Sequence, residues 1–354
     1  MSGSQEPSSD VFSLFSQYNL SETTRSWTTS NEAFLSDISS ANDFRRLSVL
    51  VWRYCSPVLL LVGGFGNVAA IFVLRRIRKK GGNSTQPVFL MALALSDLLL
   101  LYAALFFDMF QYGYGTDLRN YHSIPCKLLI WIMMASWTNS AWLLVTVTLQ
   151  RALAVTWPHR VHTVFTSRRS SIATCLVSLA SYGLHSHAVY GMDVSEEDHD
   201  GRCTAKDNYA HFVFFTWVWV DVFLSSIVPS VILLFCNMVL VFSLRRSARD
   251  ASDLTSGNSA SDVRLKVASS QTATVFLLSL AFLIFTLPLY VYMIWSHFAM
   301  DVLMEDVGVS ARAELVYAVT SMMWFTNSTI NFLLYCVSGT KFRREFLAWL
   351  SCGQ

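Results

Sequence analysis

Long apolar runs alternate with short polar ones along this chain. The runs occupy residues 51–76, 86–111, 125–157, 170–190, 210–244, 270–297 and 311–337. A helix needs roughly 20 apolar residues to cross a hydrocarbon core about 30 Å thick. The pattern therefore predicts seven membrane-spanning helices and an all-α fold. Span four is the most dilute, through Ser171, Thr174, Ser178, Ser181, His185, Ser186 and His187, although no charge interrupts it. Pro229 and Pro288 fall inside spans five and six, where each removes a backbone hydrogen bond and kinks the helix.

Composition supports a membrane reading, since the 354 residues are 53% hydrophobic and only 14% charged. The small net charge of +2 conceals an asymmetry. The loops after spans one, three and five, with the tail, hold most of the Lys and Arg, including Arg75, Arg76, Lys79, Lys80, Arg168, Arg169, Arg245, Arg246, Arg343 and Arg344. Their acids are Asp250, Asp253, Asp262 and Glu345. Basic loops stay cytoplasmic, which places the amino terminus outside and predicts a multi-pass protein of the plasma membrane.

Residues 1–48 are expected to form a disordered extracellular arm, 49–338 the seven-span bundle, and 339–354 an amphipathic helix with a short tail. The arm is rich in Ser, Thr, Asn and acids and buries too little apolar surface to fold alone. It lacks the basic start and apolar stretch of a signal peptide, so span one is expected to target itself. Asn19 is a glycosylation acceptor in the arm. The bilayer is an expected partner and nucleic acid is not.

Five of the seven cysteines, Cys55, Cys175, Cys236, Cys336 and Cys352, lie in spans or tail, and only Cys126 and Cys203 face an oxidising space. Pairing these two would tie the outer end of span three to the following outer loop; two free thiols are the alternative. Cys352 could carry a palmitoyl chain, or remain a cytosolic thiol.

An ionised side chain near the bilayer centre costs roughly 2.5–3.5 kcal/mol on insertion scales, so each needs a partner or a purpose. Asp97, Asp221 and Arg151 are the cases. Asn67, Ser140, Asn327, Ser328 and Asn331 lie at a depth similar to Asp97, and Asn327 and Asn331, four apart, share a helix face. Such oxygen-bearing groups suit a small hard cation or a water cluster; interhelical hydrogen bonding alone is the other reading. Asp221 stands about two turns before Pro229, and Asp108 ends span two at a comparable outer depth.

Gly66-Asn67, Leu93-Ala94-Leu95-Ser96-Asp97, Cys126 followed by Arg151, Pro158, Cys203, Pro229, Phe282, Pro288, Asn327-Ser328-x-x-Asn331-x-x-x-Tyr335 and Phe342 occur in order through the spans. In these motifs the chain resembles the rhodopsin-like, or class A, G-protein-coupled receptors, over residues from about 50 to 352. The stretch "GYGTDLRNYHSIPCK" is similar to invertebrate neuropeptide receptors of the FMRFamide-receptor type. The resemblance implies a Cys126–Cys203 disulfide and an amphipathic eighth helix opening at Phe342. It also implies an allosteric sodium pocket of Asp97, Ser140, Asn327, Ser328 and Asn331, with Asp97 the metal carboxylate. Arg151 would help form the cleft for a heterotrimeric G protein, with Tyr335 rotating to support it and Pro288 in the pivoting span. Departures touch this switch: Gln150 and Ala152 flank Arg151 in place of the usual acid and aromatic, Thr286 replaces a tryptophan, Phe332 a proline and Asn237 a tyrosine, and Ala268 offers no second clamp. With no acid at position 150, signalling without ligand is expected.

The same resemblance narrows the ligand. Met133 stands where amine receptors carry an aspartate, and span seven has no retinal-binding lysine. The outer loops are acidic through Asp193, Glu196, Glu197, Asp198, Asp200, Asp207, Asp301, Glu305 and Asp306, over aromatics that include Tyr292, Trp295 and Trp324. An acidic mouth above aromatic rings would attract a basic, aromatic peptide. The expected contacts are Asp108, Met133, Asp221, Tyr292, Trp295 and Trp324, with the two aspartates deepest. A non-peptide small molecule is the alternative ligand. A membrane hydrolase built on His185, His187, His199 and His211 is a remote one, because residues two apart on a helix diverge.

Overall fold

The computed structural model describes residues 29–80, 85–157, 165–195, 201–253 and 259–351, with the side chains of 29–38, 244, 247–253 and 259–269 excepted. Asn19, Pro158, His199 and Cys352 lie outside the described residues. Eight main helices follow one another: α1 (Thr29–Lys80), α2 (Gln86–Tyr114), α3 (Ser123–Thr156), α4 (Ser167–Leu184), α5, α6 (Ser259–Phe298), α7 (Val307–Ser338) and α8 (Thr340–Ser351). α5 starts at Asp207 and passes through π-helical turns at Phe212–Trp217 and Phe223–Ile227 into Val228–Asp253. A two-stranded antiparallel hairpin, β1 (Met192–Val194) with β2 (Cys203–Ala205), joins α4 to α5.

The elements start and stop where side chains can serve the backbone. Asp306 caps α7 by accepting from the Gly308 and Val309 amides at 2.8 and 3.0 Å. Gly115 ends α2 with φ +73°, a left-handed cap that glycine adopts freely. Pro229 comes two residues after the second π turn of α5, where the widened ladder accommodates a residue with no amide hydrogen.

Two boundaries differ from the sequence reading. α1 begins at Thr29, inside the segment expected as a disordered arm, and Arg45 and Ser48 on this extension bond Glu314 of α7. The fourth span, expected to continue to residue 190, stops at Leu184; a turn at His185–Ser186 leads into a short helix, His187–Gly191. Side chains account for the break. The Ser181 carbonyl takes the His185 imidazole as well as its amide, and the Gly183 carbonyl takes both the Ser186 hydroxyl and the Ser186 amide, which tightens the last turn and ends the helix.

α3 runs through the middle of the bundle, against α2, α4, α5 and α6, while α1 packs on α2 and α7 and α6 on α7. Gly66 allows this closeness, because a Cβ there would lie 2.9 Å from Phe332. By length and apolarity α1, α2, α3, α5 and α6 each qualify as membrane spans among the described residues. α4 is short and serine-rich, and α7 carries Ser, Thr and Asn, yet both complete the same bundle. Leu61, Phe65, Leu176, Phe235 and Val291 turn outward, with Leu61 74% exposed, giving the apolar exterior that lipid requires.

The interior is stratified. One apolar cluster holds Trp52, Leu101, Leu105, Trp324 and Phe325; another holds Leu74, Leu93, Leu143, Val147, Leu278, Phe282 and Tyr335. Along α2, α3 and α7 the buried polar residues Ser96, Asp97, Asn139, Ser140, Ser328 and Asn331 fall between them.

Candidate functional site

The Cys126–Cys203 disulfide pins the start of α3 to the start of β2, across 77 residues of sequence. Lys127, the next residue of α3, holds the Asp193 carboxylate of β1 at 2.8 Å, and Lys206 approaches the same group at 3.5 Å. The hydrogen bond from Lys127, joined by one from Ser123, holds the Asp193 carboxyl well below the usual carboxylate range. The hairpin is thereby fixed over one end of the bundle.

In that end lies a cavity of about 230 Å³, between α2, α3, α5, α6 and α7. Met133, Met134, Trp137, Trp217, Met293, Tyr317, Ser321 and Trp324 make its wall largely aromatic and thioether, and Asp108 and Asp221 add the two acids. Trp137 and Trp324 meet with ring centroids 4.3 Å apart. Four expected ligand contacts, Asp108, Met133, Asp221 and Trp324, thus share one wall. Tyr292 packs behind it on Tyr317 at 5.6 Å, and Trp295, 44% exposed, lies outside with its ring tilted against Tyr292 rather than lining the cavity.

Both aspartates already have side-chain partners. Asp108 accepts from the Arg119 guanidinium at 3.1 Å, and Arg119 also bonds Asp117 at 2.8 Å and Gln111. Asp221 accepts from Ser225 at 3.0 Å and lies 3.3 Å from the His185 Nε2. Arg119 sits inside the "GYGTDLRNYHSIPCK" stretch, so its presence was legible, but its partner required the fold.

At mid-depth Asp97 is fully buried. Its Oδ1 accepts from Ser140 at 3.0 Å and its Oδ2 from Asn331 at 2.7 Å, so α2, α3 and α7 converge on one carboxylate. Asn67 reaches the Ser328 backbone carbonyl and Asn139 the Ser96 hydroxyl. Half-buried Asn327 is not among the hydrogen-bond partners of Asp97. The side-chain carbonyls of Asn67 and Asn139 have no hydrogen-bond partner among the described residues. One carboxylate, serine hydroxyls and spare amide oxygens are a donor set that fits a small hard cation or ordered water.

At the opposite end, two neighbours on α3 grip the start of α2. The Arg151 guanidinium donates to the Gln86 side-chain carbonyl, and the Gln150 amide to the Thr85 hydroxyl. Ser279 of α6 donates to the Asn237 carbonyl at 2.6 Å, a tie between α5 and α6 where the family pattern has a tyrosine. Tyr335 is buried against Phe342 of α8, and its hydroxyl has no hydrogen-bond partner among the described residues. Pro288 lies within α6 six residues after Phe282, whose carbonyl accepts from Thr286. α8 is held to α1 by Glu345, which Lys80 contacts at 2.8 Å.

A seven-helix bundle with an apolar exterior, a disulfide-anchored hairpin over a cavity, and a half-buried arginine at the far end is the architecture of a seven-span membrane receptor. The chain belongs to the 7 transmembrane receptor (rhodopsin family), whose pattern it matches over residues 66–335. It is 25% identical to G-protein coupled receptor E1 of Equine herpesvirus 2 (strain 86/87), covering 86% of this chain and 75% of that protein. It is 24% identical to human neurotensin receptor type 1, over 83% of this chain and 74% of the relative. Rat hydroxycarboxylic acid receptor 2 is also 24% identical, over 82% and 76% respectively. All are receptors, and the hydrolase alternative falls with that membership. Among the described residues no three His, Cys, Asp or Glu side chains cluster as a metal site.

Proposed function

We propose that this chain is a plasma-membrane receptor with its amino terminus outside, that it binds a short extracellular peptide at the disulfide end, and that it activates a heterotrimeric G protein at the Arg151 end. The observation that carries the reading is the aromatic and methionine-lined cavity beneath the hairpin. An aromatic peptide side chain fits such a wall. Asp207, Asp301 and Glu305, in the short segments that border the same end, supply a negative rim for basic residues. The neurotensin receptor's name marks a peptide ligand in one relative at this distance. The Asp97 layer would hold a sodium ion that favours the resting state.

A second reading has one observation in its favour: the hydroxycarboxylic acid relative is equally similar, and its name marks a small organic acid. A screen separates the two. Cells expressing the receptor are exposed to short amidated peptides and, separately, to small carboxylic acids, with several G-protein readouts. A peptide agonist is expected, with potency reduced more than about a hundredfold by Met133→Trp, which fills the cavity, at unchanged surface expression. Response to the acids alone would overturn the peptide assignment.

A further inference from the structure

The link between α2 and α3 contains one turn of 3-10 helix, Leu118–Tyr121, capped by Asp117. The turn is held from within. The Asp117 carboxylate accepts from the Arg119 amide at 3.0 Å and from the Arg119 Nε at 2.8 Å. Two of its residues then reach outward in different directions. The Arg119 guanidinium, on a residue only 7% exposed, goes back to α2, donating from one terminal nitrogen to Asp108 at 3.1 Å and from the other to Gln111. Its neighbour Asn120 goes to the hairpin, where its side-chain carbonyl accepts from the Cys203 amide of β2 at 2.8 Å.

The register of the hairpin explains why that amide is open to capture. Val194 lies opposite Cys203, and in the next pair the Ser195 amide bonds the Arg202 carbonyl at 2.9 Å. Opposed residues of an antiparallel pair alternate between bonded and non-bonded, so the Cys203 amide points away from β1, along the free edge of β2. An edge amide needs an acceptor from elsewhere, and Asn120 supplies it. Asp108, in the cavity wall, is therefore connected to the hairpin through two adjacent residues of one turn.

The tie to α2 can be exchanged without unmaking the turn. Arg119 serves its two carboxylates with different nitrogens, Asp117 with Nε and Asp108 with Nη1. A ligand cation that took Asp108 would leave the guanidinium still paired with Asp117. The cost that normally attends the loss of a buried partner, an uncompensated charge, is thereby avoided. The disulfide and Lys127 anchor the hairpin to α3; this turn anchors it to α2.

We infer that the turn from Asp117 to Asn120 is a strap between the cavity and the hairpin, with Arg119 and Asn120 as its positioning residues, and that a cationic ligand group taking Asp108 from Arg119 loosens the hairpin. The second step rests on the cavity being the ligand site proposed above; the strap itself does not.

Hydrogen–deuterium exchange of purified receptor, read at single amides, tests both. Local opening sets the rate at which a bonded amide exchanges. Asn120→Ala should speed the Cys203 amide about fivefold or more, the factor that a hydrogen bond of ordinary net strength is worth. Arg119→Gln and Asp108→Ala should speed it comparably although neither residue touches it, while the Ser195 amide inside the hairpin keeps its rate. Asp108→Ala should add nothing to Asn120→Ala. A Cys203 amide at its unaltered rate in Arg119→Gln and Asp108→Ala, or a Ser195 amide that rises in step with it, would overturn the strap; where one variant fails to fold, the other decides. Argininamide is the ligand probe, its binding read by thermal shift. It should speed the Cys203 amide of the unaltered receptor and leave Ser195 alone. Binding without that change would refute the loosening. No thermal shift would count against the cavity as a site for a basic group, and so against the peptide reading, while the variants still decide the strap.

Discussion

Gln86, the first residue of α2, accepts a hydrogen bond from Arg151, near the end of α3. Its neighbour Thr85 accepts from Gln150 in parallel. A two-point clasp that contains no acid thus joins α2 to α3 at Arg151. The Arg151 Nε and the Gln150 carbonyl oxygen are left without hydrogen-bond partners among the described residues.

Removing the stronger arm of the clasp should loosen the resting state. A hydrogen bond to a charged group contributes about 1.5–3 kcal/mol, and receptor states differ by only a few. Gln86→Ala is expected to raise ligand-independent G-protein activation severalfold. Gln150→Asp, which supplies the missing anion beside Arg151, should lower it below that of the unaltered receptor. Basal activation measured at matched surface expression checks both, and identical values in all three proteins would show that Arg151 is restrained elsewhere.

The disulfide ties β2 of the hairpin to the start of α3. Cys126→Ser or Cys203→Ser should destabilise the receptor by about 2–5 kcal/mol and reduce its surface level, with the double variant no worse than either single one. A double variant clearly worse than the singles would mean that the cysteines act separately.

Asp97 offers an ion-specific test. Replacing choline by sodium at constant ionic strength should raise the melting temperature of the receptor by a few degrees, and Asp97→Asn should abolish the difference. A sodium effect that survives the substitution would place the ion elsewhere.

Asp193 sets a pH window for the hairpin. Its folded-state pKa is depressed by Lys127 and Ser123, so its contribution to stability is complete above the ordinary carboxylate value near 4 and disappears as pH falls through the lower folded value. The melting-temperature gap between the unaltered receptor and Asp193→Asn should therefore be constant from about pH 5 to 7 and close only in stronger acid. It should also shrink in high salt, because Asp193 and its lysines are partly exposed. A gap that closes already near neutrality would contradict the Lys127–Asp193 contact.

The seven helices were legible because apolar run length is a local property that a bilayer enforces directly. The convergence of Asp97, Ser140 and Asn331 was legible in part, since equal depth along three spans can be counted from their ends. The partners of Asp108, Asp221, Gln150 and Arg151 were not. Each depends on the rotation of one helix against another, and the residues involved, Arg119, His185, Thr85 and Gln86, carry no pattern that singles them out in sequence. The break at His185 was hidden for a different reason: the dilution of span four by serine and histidine was visible, but which side chains would capture the helix carbonyls was not.

The stratified interior bears on how a signal could travel. Interlocked methyl and aromatic groups resist sliding, since any displacement opens voids. Serine, asparagine and carboxylate groups can trade one hydrogen-bond partner for another, or for water, without leaving a hole. Any relative displacement of the two apolar blocks would therefore fall in the thin stratum around Asp97, Asn139 and Asn331, and a bulky side chain added there would lock one block to the other.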